Sequence, residues 1–150
     1  MATVATIGYQ GATVRTFLDA LRDERIELLV DVRAVAMSRR PGFAKSALAA
    51  NLEEAGIGYL HLRDLGTPAD GRAAARAGRH DEMRTIFREQ LATAAARAAL
   101  ATLADIVRSG RRVALLCFEA DPTHCHRSLV AAALQSLVPA EIRHLTPLED

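Results

Sequence analysis

The most constraining feature of this sequence is an uninterrupted apolar run, Val113-Ala114-Leu115-Leu116-Cys117-Phe118. A strand with one face in water alternates apolar and polar residues, whereas a run without alternation predicts burial on both faces. Central strands of parallel sheets have this character, because helices cover both faces of such a sheet. The sequence is therefore expected to build a parallel sheet around residues 112–118.

Shorter apolar runs alternate with stretches of helical periodicity along the rest of the chain. The predicted strands cover residues 3–7, 28–32, 59–62, 112–118 and 141–145, the last at an edge. The predicted helices cover residues 13–22 with Thr13 as the cap, about 46–55, 81–109 with a break near 94–97, and about 125–137. Residues 66–80 are expected to form a long polar loop, and residues 148–150 to be frayed.

Strands that alternate with helices predict an α/β fold. We expect a single domain over residues 1–150, with an open, mostly parallel sheet of about five strands and helices on both faces.

Composition restricts the classes of partner. The net charge is +1 at pH 7, whereas proteins that bind long nucleic acids through charge usually carry a clear basic excess. Two cysteines in 150 residues do not form a secreted disulfide framework and favour a reducing compartment. No apolar run approaches the ~20 residues of a membrane span, and the first residues lack the pattern of a signal peptide. A cytoplasmic location without membrane contact is expected.

Polar side chains gather after three of the predicted strands, where open α/β sheets bind their ligands. They are Tyr9 after the first strand, Arg33, Ser38 and Arg39 after the second, and Glu119, Cys125, His126 and Arg127 after the fourth. Guanidinium groups suit phosphate and carboxylate, and the N-terminus of the helix after Arg127 favours anions. We therefore predict an anion site formed by Tyr9, Arg33, Ser38, Arg39 and Arg127. In the alternative, Arg39 is a solvated loop residue and Arg33 pairs with Asp31 or Glu119.

Cys125-His126-Arg127 is the sharpest local feature. A cysteine at a helix N-terminus beside a histidine and an arginine favours the thiolate. Cys125 is accordingly a candidate nucleophile with His126 or His124 as its base, and Glu119 or His126 would handle protons. In the alternative, Cys125 shares a helical face with Leu129 and packs into the core. Adjacent helical residues diverge by about 100°, so Cys125 and His126 are expected not to face one another.

A metal site is a second interpretation of the same segment. Its possible ligands are Cys117, Glu119, His124, Cys125 and His126. The segment lacks paired CxxC or HExxH spacing, and Cys117 is expected to point into the core. We therefore assign no metal ligands, and the sequence identifies no cofactor.

Several motifs occur in a fixed order along the chain. They are Thr6–Gly11, Asp31–Arg33, Ser38–Phe43, Gly56–Tyr59, Leu65–Pro68, and Leu115–Glu119 through Cys125–Arg127. Together they resemble the DUF488 family, which is named as a domain of unknown function. The resemblance brings no settled activity. It implies one shared site of Arg33, Ser38, Arg39, Glu119, Cys125, His126 and Arg127.

Three functions remain open at this point. The first is an enzyme that acts on a phosphorylated or nucleotide-like small molecule. The second is a nucleic-acid-binding or processing domain, in which basic residues of 33–45 and 72–79 follow phosphates. The third is a non-catalytic module that binds a ligand or a metal. The concentration of titratable groups at one sheet edge favours the first.

Overall fold

Five parallel strands form one sheet in the order β3-β2-β4-β1-β5. The computed structural model describes residues 2–147, so the predicted fraying of 148–150 lies outside the described residues. The strands are β1 (Ala2–Gly8), β2 (Leu28–Asp31), β3 (Gly58–His61), β4 (Val113–Cys117) and β5 (Ala140–Leu145). The predicted α/β class is confirmed, with β4 buried in the centre of the sheet and β5 at an edge.

Six α-helices cover the two faces of this sheet. They are α1 (Val14–Asp23), α2 (Lys45–Glu54), α3 (Ala69–Arg76), α4 (His80–Leu91), α5 (Ala94–Arg108) and α6 (Arg127–Gln135). Phe17 of α1 and Leu48 of α2 pack in one core cluster with Leu116 of the sheet. Phe87 of α4 and Leu103 of α5 pack in the other cluster, together with α6. Helices on both faces are therefore confirmed.

Two threonines cap the N-termini of helices, and the first of them, Thr13, was predicted from the sequence. Thr13 caps α1, because its hydroxyl accepts a hydrogen bond from the Thr16 amide at 3.1 Å. Thr93 caps α5 in the same way, with the Ala96 amide as donor at 3.2 Å. The predicted helix over 81–109 is thus two helices, and the break falls at 92–93, just before the expected position.

No single described helix is long and apolar enough to cross a membrane. The helices α4 and α5 are long and apolar enough only when they are taken together, and the pair is bent by 83° at its break.

The predicted loop over 66–80 is wrong, because residues 69–76 form α3. Four of its eight residues are alanine, which has the highest intrinsic helix propensity. The helix ends before Gly78, whose φ of +80° suits glycine. This helix brings two arginines to the sheet edge described below.

The predicted helix start at Cys125 is also wrong. Cys125 has extended backbone, with φ −128° and ψ 150°, and α6 begins at Arg127. Cys125 therefore does not share a helical face with Leu129.

Candidate functional site

The carboxyl ends of β1, β2 and β4 open onto a cavity of about 800 Å³. Its lining includes Tyr9 after β1, Arg33 and Ser38 after β2, Glu119, Cys125 and His126 after β4, and Arg72 and Arg76 on α3. Small-molecule sites have volumes of about 300–1,000 Å³ and favour this edge of an α/β sheet. The cavity therefore has the size and position of a small-molecule site.

Arg33 is buried in an ion pair with Asp31. Its Nε and Nη2 donate to the Asp31 carboxylate at 2.9 and 2.7 Å, and its Nη1 donates to the Phe43 carbonyl at 2.8 Å. Burial acts to lower the pKa of Arg33, but the hydrogen bonds and charge of Asp31 outweigh it and raise that pKa. Nη1 also lies 3.3 Å from the Tyr9 hydroxyl. Arg33 thus pairs with Asp31, as in the alternative left open above, and fixes the loop after β2.

Arg127 has no exposed surface and does not line the cavity. Its Nε donates to the Thr6 hydroxyl at 3.1 Å, its Nη1 to the Glu119 carbonyl and its Nη2 to the Ala120 carbonyl at 3.1 Å. Burial lowers the pKa of Arg127 to about 10. In this geometry Arg127 holds the loop after β4 against β1 and does not face a ligand in the cavity.

The other predicted ligand-binding residues divide into two groups. Tyr9 lines the cavity and stacks on Phe43, with ring centroids 4.7 Å apart. Ser38 also lines it, and its hydroxyl accepts a hydrogen bond from the Arg40 amide at 3.1 Å. Arg39 is exposed and is not part of the lining.

Cys117 and Cys125 are joined by a disulfide at the cavity wall. This differs from the expected reduced pair, and it also shows that Cys117 does not simply point into the core. While the disulfide is intact, Cys125 has no thiol, so a nucleophilic role requires reduction. The extended backbone of Cys125 directs its sulfur back toward β4, an orientation that a helical start would not give.

His126 faces both sulfurs, contrary to the expectation for two adjacent helical residues. Its Nδ1 lies 3.6 Å from Cys117 Sγ and 3.8 Å from Cys125 Sγ. Its Nε2 lies 2.6 Å from the Val32 carbonyl oxygen, and a carbonyl only accepts, so Nε2 carries the proton. Burial lowers the pKa of His126 to about 4. The ring is therefore neutral at pH 7, with the Nδ1 lone pair toward the sulfurs.

Glu119 completes this group of side chains. Its Oε2 lies 3.3 Å from Cys117 Sγ. Burial raises the pKa of Glu119, while the charges of Arg127, His124 and His80 act to lower it. Rings of His80 and His124 stack beside the group, with centroids 4.2 Å apart.

Sequence reasoning considered Arg72 and Arg76 only as contacts to nucleic-acid phosphates and did not place them, or His80, at this cavity. Arg72 and Arg76 are four positions apart, so a helix over this segment puts them on one face. That spacing is visible in the sequence, but it indicates a shared face only where the segment is helical.

Fold and site together define an α/β domain with a ligand-sized cavity at the carboxyl edge of an all-parallel sheet. The chain belongs to the DUF488 family, because the model of that family, described as a domain of unknown function, matches residues 13–134. The resemblance seen in the sequence is thereby confirmed. The match includes Arg33, Glu119 and Cys125–Arg127, while Tyr9 lies before it. No curated protein and no solved structure matches the chain.

Proposed function

We propose that the protein is an enzyme that acts on a phosphorylated, nucleotide-like small molecule bound in this cavity. The observation that carries the proposal is the juxtaposition of two arginines of α3, Arg72 and Arg76, with Glu119, Cys125 and His126 around one cavity.

The charges around the cavity favour an anionic ligand. Asp31 balances Arg33, so the relevant cations are Arg72 and Arg76. Arg72 Nη1 donates to the neutral Thr67 carbonyl at 2.9 Å, and neither arginine forms an ion pair with a carboxylate within residues 2–147. Glu119 is the only acidic side chain among the described residues that line the cavity. Guanidinium forks suit phosphate oxygens, which they bind with two parallel hydrogen bonds.

An apolar part of the lining suits a planar ring. Tyr9, Met37 and Phe118 line the cavity, and the Tyr9 and Phe118 rings meet edge to face at 5.3 Å. Met37 is 75% exposed, so its side chain is free to pack on a ligand. A molecule with a phosphate at one end and a nucleobase-like ring at the other matches both parts of the lining.

We assign the chemistry to Glu119, His126 and Cys125. All three line the cavity, so a phosphate held by the arginines leaves the rest of the ligand close to them. Positioned acid–base groups accelerate reactions by about 10²–10⁴-fold. A role for Cys125 as the nucleophile applies to the reduced protein.

Calorimetric titration with AMP, ADP and ribose 5-phosphate tests the binding step, with uncharged adenosine and an oligonucleotide as comparisons. We expect a phosphorylated ligand to bind. Arg76→Ala should lower the affinity for that ligand by roughly 10–100-fold, which corresponds to the loss of one charged hydrogen bond. Arg97→Ala is the matched control, because Arg97 is an exposed helical arginine outside the cavity. It removes the same charge and should leave binding unchanged.

Phosphorus NMR of the bound ligand tests the catalytic step. We expect conversion by the reduced wild-type protein and its loss in Glu119→Gln. Binding of the ligand without its conversion would favour the alternative of a non-catalytic ligand-binding module. Preference for the oligonucleotide, with a steep salt dependence, would favour the nucleic-acid alternative, and equal losses in Arg76→Ala and Arg97→Ala would contradict the assigned site.

A further inference from the structure

Two sulfurs and one imidazole nitrogen meet at the cavity wall. Cys117 Sγ, Cys125 Sγ and one ring nitrogen of His126 lie within 4.8 Å of one another, and all three residues are buried. Thiolate and imidazole are the ligands that Zn²⁺ takes most often in proteins, and soft sulfur disfavours Mg²⁺ and Ca²⁺. The donor set therefore specifies a thiophilic metal.

The distances match a tetrahedral zinc centre. Zn–S bonds of about 2.3 Å and Zn–N bonds of 2.0–2.1 Å give a ligand-to-ligand S···N separation of roughly 3.5–3.6 Å. The His126 Nδ1 atom lies 3.6 Å from Cys117 Sγ and 3.8 Å from Cys125 Sγ. The imidazole thus already lies at ligand distance from both sulfurs, and only the sulfur–sulfur separation must grow.

The backbone leaves room for that growth. The Cα atoms of Cys117 and Cys125 are 6.9 Å apart, just beyond the usual range of about 4.4–6.8 Å for a disulfide. Once the bond between the sulfurs is broken, rotation of the two side chains separates them without moving β4 or the segment before α6.

The outer contacts of His126 are those of a metal ligand. Ligating histidines usually donate their other ring N–H to a carboxylate or a backbone carbonyl, which fixes the ring. His126 Nε2 makes this bond to the Val32 carbonyl at 2.6 Å, so Nδ1 is the free donor. Glu119 Oε2, 3.3 Å from Cys117 Sγ, lies where it can hold a water in the fourth position.

We propose that the reduced protein binds one Zn²⁺ ion through Cys117 Sγ, Cys125 Sγ and His126 Nδ1, with its fourth coordination position open to the cavity. Three protein ligands with an open position are typical of catalytic rather than structural zinc. This site goes beyond the proposed function, because it requires neither the phosphorylated ligand nor the arginines. In the zinc-bound protein Cys125 and His126 are metal ligands, so their roles as nucleophile and proton carrier apply only to the reduced, metal-free protein, and Glu119 remains the acid–base group.

Metal and disulfide exclude one another. A small dithiol reductant supplies two electrons and two protons, so the Sγ–Sγ bond breaks, two S–H bonds form and the reductant becomes a cyclic disulfide. Zn²⁺ then replaces the two thiol protons, which pass to solvent, and no further oxidant or reductant is needed.

Titration of untagged, metal-free protein with Co²⁺ and Zn²⁺ tests the site, after reduction with a dithiol and anaerobic removal of the reductant. We expect one Co²⁺ per chain, with thiolate-to-cobalt charge-transfer absorption and the intense visible bands of tetrahedral Co²⁺, and displacement of the Co²⁺ by Zn²⁺. Cys117→Ser should lose about half of the charge-transfer intensity. His126→Gln should weaken affinity by more than the roughly 10–100-fold typical of losing an outer-sphere partner.

His124→Gln is the matched control, because His124 is a neighbouring histidine outside the cluster; it should bind as the wild type does. Oxidised wild-type protein, which needs no substitution, should bind neither ion. Reduced protein without metal uptake, equal binding after oxidation, or a loss in His124→Gln as large as in His126→Gln would overturn the proposal. Zn²⁺ uptake without binding of phosphorylated compounds would instead count against the proposed function alone.

Discussion

At the scale of single residues, the guanidinium of Arg127 determines the shape of the cavity wall without lining it. A buried charge is costly unless it is hydrogen-bonded. The Arg127 guanidinium donates hydrogen bonds to the Thr6 hydroxyl and to the carbonyls of Glu119 and Ala120, and these bonds offset the cost of its burial. These bonds tie the loop after β4 to β1. The Glu119 side chain projects toward Cys117 from a backbone held by Arg127.

Replacing this guanidinium should therefore affect stability first. We expect Arg127→Met to lower the free energy of unfolding by roughly 1–3 kcal/mol, because buried carbonyls lose their donors. Urea denaturation measures the change. Arg76→Ala, at an exposed position of α3, should stay within about 0.5 kcal/mol of wild type. An Arg127→Met protein with normal stability but weakened ligand binding would restore Arg127 as a ligand contact.

Some contacts between residues could be predicted from the sequence, and others could not. Asp31 and Arg33 are two positions apart at a strand end, so their pairing was among the alternatives. The contact between His126 and both sulfurs depends on the extended φ of one residue, Cys125. Periodicity carries no information about a single dihedral angle. A helix that begins at Cys125 predicts a different direction for its sulfur from the one that the extended backbone gives.

At the scale of elements, the strands were easier to predict than the helices that carry the arginines. A buried strand needs a run of apolar residues, and each of the five runs corresponds to a strand. Helix α3 follows Pro68 and has Asp70 and Gly71 in its first turn, and proline, aspartate and glycine are typical of turns. Its contacts with α4 help to keep it helical, and tertiary packing of this kind is not visible in a short segment.

The junction of β1 with the loop after β4 leaves no space for a side chain at Gly8. A Cβ there would lie 1.8 Å from the Glu119 carbonyl oxygen and 2.5 Å from its carbon, both backbone atoms. We expect Gly8→Ala to lower the free energy of unfolding by about 1–3 kcal/mol and to displace Glu119, so conversion of a bound ligand should fall as well.

Gly78→Ala provides the comparison for Gly8→Ala. Gly78 has φ +80° and nothing within 4 Å of an added Cβ, so this change should cost about 1–2 kcal/mol through backbone strain and leave conversion of bound ligand intact. Urea denaturation and a conversion assay on both variants measure the two effects. A Gly8→Ala protein as stable and as active as wild type would contradict the close approach of the two backbones.

At the scale of the whole molecule, the strand order concentrates function at one edge. With β4 between β2 and β1, the segments that follow these three strands converge although they lie far apart in sequence. The position of the site was predictable for this reason, since parallel strands end at a common edge. The state of the cysteines was not, because it depends on which way two side chains turn after folding.

The disulfide links the end of β4 to the segment that leads into α6, with a sequence separation of 8 residues. Closing so short a loop is expected to stabilise the fold by about 2–3 kcal/mol, chiefly by restricting the unfolded chain. Reduction by a dithiol in the presence of a chelator should lower the free energy of unfolding by that amount, as measured by urea denaturation. Cys117→Ser has no disulfide, so its unfolding should not respond to the reductant.

If reduced protein binds Zn²⁺ at the two free sulfurs, added Zn²⁺ should raise the free energy of unfolding in proportion to the logarithm of its concentration above the dissociation constant. Identical unfolding midpoints with and without the dithiol would show that the cross-link does not contribute to the stability of the fold.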